Sequence, residues 1–216
     1  MLKHIIFDMD GTLADTGKAT INACAEASAH YDLPKLEDGH IIRTIGIANP
    51  EFYYRLYPQI DRSLVDAYGD LVEKLEIERV SALGEDILFP DVKSMLHALR
   101  GLGIRLYLAS TGSPEHVHIV LKSGGIRSMF DVIACGQPVK INLVKDLIGA
   151  SEKAEWAMIG DTDKDLEAAR ANDIQAMAAG FGYCPPTEWP RYDIVLHKPE
   201  DMVLICRKQL FEGASS

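Results

Sequence analysis

Short apolar runs alternate with longer amphipathic stretches through most of this chain, a pattern that a parallel sheet with helices on both faces satisfies. The runs that read as strands are Lys3 to Asp8, Ile104 to Ser110, Phe130 to Ala134, Glu155 to Gly160 and Ile174 to Ala179, with a weaker one at Asp193 to His197. Between them, helical periodicity predicts helices at Val92 to Arg100, Pro114 to Ser123, Asn142 to Ile148 and Lys164 to Asn172. Start signals agree: Ser113-Pro114-Glu115 places Pro at a first helical position, and Asp91 stands where an N-cap belongs.

One interval breaks the alternation. From Asp15 to Gly84 there is no strand pattern, only helical ones at Lys18 to His30, Leu36 to Ile45, Glu51 to Tyr57 and Ser63 to Ser81. A helical insert after the first strand accounts for this, so residues 1–14 and 85–216 are expected to form an α/β core and residues 15–84 a small helical domain. The tail Glu212 to Ser216 is expected to fray.

A net charge of -10 repels nucleic acid and anionic lipid, so neither is an expected partner. An anionic substrate would be held only by local positive charge or a metal. Cys24, Cys135, Cys184 and Cys206 form no CxxC pair, which fits reduced packing thiols in a cytoplasmic protein. No apolar segment of the length of a signal peptide or a membrane span occurs.

Two carboxylate clusters end apolar strands. In Phe7-Asp8-Met9-Asp10-Gly11-Thr12 the aspartates stand two apart, on one face of a continuing strand, and Asp10-Gly11 permits a sharp turn. Strand carboxyl ends are where open parallel sheets bind ligands. Close carboxylates call for a cation or a shared proton; the plain alternative is a solvated strand end. In Gly160-Asp161-Thr162-Asp163-Lys164-Asp165, Asp161 ends a strand and Asp165 lies a helical turn on. These are hard oxygen ligands suited to Mg²⁺, although carboxylates at a helix start also serve as caps.

Together these segments resemble motifs one and four of the haloacid dehalogenase superfamily, DxDGT and GDTxxDxxAA, and the resemblance covers almost the whole chain. It implies a Rossmann-like three-layer core with a helical cap, and hydrolysis of a small phosphorylated metabolite. Asp8 would be the nucleophile, forming an aspartyl-phosphate. Asp10 would act as general acid and base. Mg²⁺ would be held by Asp8, the Asp10 carbonyl and Asp161, with Asp165 as ligand or support. The second motif falls at Ser110-Thr111-Gly112, with the Ser110 hydroxyl and Thr111 amide donating to phosphate; alone, it would read as a turn. Where relatives often carry a Lys in Lys-Pro-x-Pro, this chain has Gln137, which leaves Lys140, opening the next helix, with Lys145 as a substitute.

Haloacid dehalogenases and phosphonatases lack a counterpart of Asp10, and the β-phosphoglucomutase branch shows Glu-Asp where Gly160-Asp161 stands. A phosphatase is the leading expectation, with phosphoglycolate or a sugar phosphate as examples of substrate. A sugar-phosphate mutase and a non-catalytic protein on the same fold are the alternatives. The segment Arg43 to Asn49 looks like the cap loop of phosphoglycolate phosphatase-like proteins, so Arg43 or Lys18 could meet a substrate anion, though cap helices commonly carry surface arginines. Tyr53 and Tyr54 read as packing. All seven histidines, His116 and His118 among them, read as surface or packing residues.

Overall fold

The computed structural model describes residues 1–213. Six parallel strands form one sheet: β1 (His4–Phe7), β2 (Arg105–Ser110), β3 (Val132–Cys135), β4 (Trp156–Gly160), β5 (Gln175–Ala179) and β6 (Ile194–Leu196). Their spatial order is β3-β2-β1-β4-β5-β6, so the chain reverses direction of travel across the sheet at β1. The carboxyl end of β1 is therefore central, where the crevice of such a sheet opens.

Side-chain alternation along β1 builds two cores. Ile5 and Phe7 face a cluster containing Leu96 and Leu99, while Ile6 faces the opposite one with Leu143 and Leu166. The first cluster lies under α5 (Val92–Gly101), α6 (Pro114–Ser123) and α9 (Glu200–Gly213); the second lies under α7 (Lys140–Ile148) and α8 (Asp163–Ala171). This is the three-layer α/β arrangement that the sequence pattern predicts. Residues 15–84 contribute α1 (Gly17–His30), α2 (Asp38–Thr44), α3 (Glu51–Leu56) and α4 (Arg62–Leu83), which pack around a separate cluster including Ala23, Ile41, Tyr68 and Val72. Tyr53 belongs to that cluster. The two connections to this helical unit run side by side: the Asp15 amide donates to the Ile87 carbonyl at 2.8 Å and the Phe89 amide to the Leu13 carbonyl at 3.1 Å.

Several details depart from the sequence reading. β3 starts two residues late, at Val132, and α7 starts two early, which makes Lys140 its first residue. Asp91 precedes α5 with a left-handed backbone, φ 65°, and its side chain caps nothing. The long closing helix α9 was not expected. Met202, Val203 and Cys206 give it an apolar stripe, and Asp201 anchors its start by accepting from the His197 and Lys198 amides at 2.8 and 3.1 Å. This helix runs through Glu212 and Gly213; Ala214 to Ser216 of the expected frayed tail lie outside the described residues. The four cysteines are free thiols, three of them buried. Among the described residues no helix is long and apolar enough to cross a membrane.

Candidate active site

Asp8 follows β1 directly and is buried, its amide held by the Ile159 carbonyl at 2.9 Å. Beyond it the chain folds tightly: the Met9 carbonyl accepts from the Thr12, Leu13 and Ala14 amides. Gly11 makes the turn with φ +79°, and a Cβ there would lie 2.4 Å from Asp161 Oδ2. This turn brings Asp8 and Asp161, at the ends of neighbouring strands, into one cluster with Asp165. One ligand atom from each of the three carboxylates lies within 4.8 Å of the others.

Lys140 enters this cluster from the first turn of α7. Its Nζ is 2.7 Å from Asp8 Oδ1 and 2.6 Å from Asp165 Oδ1, and only 2% of its side chain is exposed. Asp165 Oδ2 accepts from the Thr162 amide and hydroxyl at 2.9 and 2.7 Å, so one carboxylate both caps α8 and orients the lysine. Asp161 Oδ1 accepts from the Thr12 hydroxyl at 2.8 Å. Lys145, by contrast, is exposed.

Three buried carboxylates facing one ammonium leave uncompensated negative charge. Burial, reinforced by the Asp165 charge, pushes Asp8 up to about 7 despite Lys140. Asp161 is raised well above the ordinary carboxylate range by burial and by the charges of Asp8 and Asp165. A small divalent cation would supply the missing charge, and the oxygen donors suit Mg²⁺. The donor set thus fits the metal.

Asp10 sits apart from that cluster. Its Oδ1 accepts from the Thr16 hydroxyl at 2.8 Å and from His116 Nε2 at 2.9 Å. Burial favours its neutral form, but His116 and Thr16 outweigh burial and hold it below the usual range. The ring's other nitrogen, Nδ1, lies 3.6 Å from Glu76 Oε2 on α4. Burial opposes charge on His116, yet Asp10, Glu76 and Glu73 together push it up to about 10. His116 is thus no mere packing or surface residue. It is the third residue of α6, one turn past Ser110-Thr111, and its place at the mouth of a strand-end motif was the available signal. Lone histidine spacing carried none.

Ser110 ends β2, buried, and its Oγ accepts from the Gly112 amide at 3.1 Å. The Thr111 hydroxyl donates across to the helical unit, to the Gly46 carbonyl at 3.0 Å, and Lys164 Nζ donates to the same carbonyl at 2.8 Å.

Residues 5–179 match the family model for haloacid dehalogenase-like hydrolases. The chain belongs to this family. Among relatives, a phosphoglycolate phosphatase of Synechococcus elongatus is 29% identical, over 94% of this chain and 96% of its own. A crystal structure of a predicted phosphoglycolate phosphatase from Haemophilus somnus 129pt superposes with TM-score 0.85 at 21% identity, covering 94% of this chain and 97% of that one. A β-phosphoglucomutase structure from Clostridium difficile superposes with TM-score 0.79 at 15% identity, covering 98% and 99%. At such identities the two structures speak for the fold. The chain has the haloacid dehalogenase-like fold and is an enzyme of its phosphatase class.

In this hydrolase a cavity of about 70 Å³ is lined by residues of α4 and of the strand-end motifs. Asp10, Ser113 and His116 line one side; Ile45, Phe52, Glu73 and Glu76 are among those lining the other. Arg43 and Lys18 are both exposed, and neither lines the cavity. Arg43→Ala and Lys18→Ala are accordingly expected to leave kcat/KM for phosphomonoesters within about twofold of the parent, the scale of ordinary surface substitutions. A loss above tenfold in a phosphate-release assay would show that the exposed arginine or lysine reaches substrate.

Proposed function

We propose that this hydrolase is a Mg²⁺-dependent phosphatase that cleaves a small phosphomonoester through an aspartyl-phosphate on Asp8. The observation that carries the reading is the buried Lys140 bridging Asp8 and Asp165 beside Asp161. Residues 1–14 and 85–216 act as the catalytic core and residues 15–84 as its cap. Phosphoglycolate, the substrate named for several relatives, and sugar phosphates are starting points for assay.

Asp8 Oδ attacks phosphorus as the alcohol oxygen leaves, and Asp10, taking a proton from the His116 imidazolium hydrogen-bonded to it, passes that proton to the departing oxygen. Water then attacks the aspartyl-phosphate, with Asp10 taking its proton back, which releases inorganic phosphate and restores Asp8. Asp8, the Asp10 carbonyl and Asp161 would hold Mg²⁺, which when bound offsets the repulsion between an anionic nucleophile and an anionic phosphate. Asp165 supports the site: its oxygens are taken up by Lys140, Thr162 and the Asp161 amide. Ser110 and the Thr111 amide receive phosphate oxygens, and Lys140 holds Asp8 and the phosphoryl group in register as a point charge.

A mutase assignment loses ground at Gly160. A Cβ on that residue would lie 2.2 Å from Asp165 Cγ, so a Glu there would displace the carboxylate that orients Lys140.

His116 is assigned as the residue that positions Asp10. His116→Leu is expected to lower kcat by about 10- to 100-fold, the equivalent of roughly 1.5–3 kcal/mol for a hydrogen bond to a charged group. His116→Gln, which can still donate, should recover part of that loss. Steady-state kinetics of both variants would test this, and equal damage from the two would count against positioning.

Phosphate release from a panel of phosphomonoesters, with and without Mg²⁺ and with Asp8→Asn as control, tests the whole scheme. Turnover that survives in Asp8→Asn would defeat it.

A further inference from the structure

Resting on the phosphatase reading, we infer that Tyr183, on the loop after β5, is a positioning residue for Asp10: it fixes the chain on both sides of the general acid and pins the first connection to the cap.

Tyr183 grips the Asp10 turn by its main chain and the cap connection by its hydroxyl. Its amide donates to the carbonyl of Gly11, the residue after Asp10, at 3.0 Å. Its Oη accepts from the Gly17 amide at 2.7 Å and donates to Asp15 Oδ1 at 2.5 Å. A hydroxyl has one proton and two lone pairs, so both bonds form at once. Asp15 and Gly17 flank Thr16, whose hydroxyl donates to Asp10 Oδ1. One phenol oxygen therefore brackets the residue that orients the proton donor.

The start of α1 explains why an acceptor from outside the helix is needed there. The first four amides of a helix have no partner within it, and a threonine at the N-cap ordinarily satisfies one of them. Thr16 is the N-cap residue but makes no capping bond, since its hydroxyl is turned to Asp10. Tyr183 takes up the Gly17 amide instead. Thr16 can serve the active site because the tyrosine satisfies the helix start in its place.

The seat of the ring is equally specific. A Cβ on Gly11 would lie 2.5 Å from Tyr183 Cδ2, and one on Gly17 would lie 2.5 Å from Oη, so both positions make room for the phenol by being glycine. The ring also meets Phe89, on the second connection, edge to face with 5.7 Å between centroids. Tyr183 thus touches both connections to the cap as well as the Asp10 turn.

Leaving-group chemistry separates the positioning of an acid from general damage. Glycerol 2-phosphate and phosphoglycolate release alkoxides that need a proton, whereas p-nitrophenyl phosphate releases a phenolate that leaves without one; kcat/KM covers the steps up to that departure. Tyr183→Phe keeps the ring and removes the hydroxyl. It should lower kcat/KM for the two alkyl esters by about tenfold, hold p-nitrophenyl phosphate within about threefold, and melt with the parent. Thr16→Val should show the same pattern, and adding Tyr183→Phe to it should cost less than about twofold more, since both act through one contact. Equal losses on all three esters, no loss on any, or losses that multiply in the double variant would overturn the assignment. Amide exchange at Gly17 needs no turnover: it should quicken by at least about tenfold in Tyr183→Phe, and an unchanged rate would overturn the clasp. A parent that hydrolyses no phosphomonoester would instead remove the phosphatase reading, with Gly17 exchange still deciding whether Tyr183 holds the connection.

Discussion

Asp8→Asn is expected to lower phosphate release by at least about 10⁴-fold while leaving the metal-free protein as stable as the parent or more so. The kinetic loss follows from removing the group that bonds to phosphorus; nucleophile deletions in enzymes of this kind of two-step chemistry cost up to about 10⁶ in kcat. The stability gain has a separate cause. Burial first, and then the Asp165 charge, push Asp8 up to about 7 in the folded state, far above its value in an unfolded chain. A carboxyl with a raised folded pKa binds more protons folded than unfolded, so its ionisation weakens the fold as pH climbs from about 4 to about 7. Asparagine carries no such penalty and still offers an acceptor to Lys140. Thermal melts without Mg²⁺ should therefore show the variant gaining on the parent across that interval and holding its lead above it. Addition of Mg²⁺ should reverse the order, because the parent gains more ligand stabilisation. A variant that melts lower than the parent at pH 8 without metal would mean that the carboxylate cluster is not under electrostatic stress.

Lys140→Met carries the second large effect, in the opposite direction for stability. The side chain is almost wholly buried between two carboxylates, and its own affinity for a proton is raised by them in spite of burial. Removing one partner of a buried ion pair costs about 3–5 kcal/mol, because the remaining charges are left without compensation. Here three carboxylates would be stranded. Metal-free Lys140→Met should unfold at markedly lower denaturant concentration than the parent, with Mg²⁺ restoring much of the difference, and turnover should fall by at least about 10²-fold even when metal is saturating. Lys145→Met, on the exposed side of the same helix, should do neither. Urea titrations of both variants, with and without Mg²⁺, separate the two lysines cleanly.

How far the sequence could be read depended on the range of the interactions concerned. Asp8, Ser110 and Asp161 were legible because each stands where an apolar strand stops, a one-dimensional signal that the sheet converts into proximity. Lys140 was preferred to Lys145 on the sequence as the lysine that opens a helix, and the start of α7 at Lys140, two residues earlier than the periodicity indicated, is what turns it inward. Asp165 could be read as cap or ligand, and its geometry shows why: one oxygen does the capping while the other holds Lys140. Glu73 and Glu76 were beyond reach, and His116 offered only its place just past the Ser110-Thr111 strand end. They meet only because α4 of the insert lies against α6 of the core, a long-range contact with no local pattern, and α4 carries several glutamates whose spacing alone does not say which face the site. The helix α9 was overlooked for a different reason: its apolar stripe is narrow, and a polar tail resembles a frayed end.

The grip on Gly46 bears on how such a protein changes over time. Thr111 and Lys164 hold the insert by a main-chain oxygen, at a residue whose φ of +86° favours glycine. A contact made through the backbone is indifferent to the side chains on either side of it. Ile45, Ile47 and Ala48 could therefore drift, altering what the cavity admits, without loosening the seating of the insert on the core. Selection could then retune the choice of substrate one loop residue at a time while the chemistry, anchored in the strand ends, stays as it is.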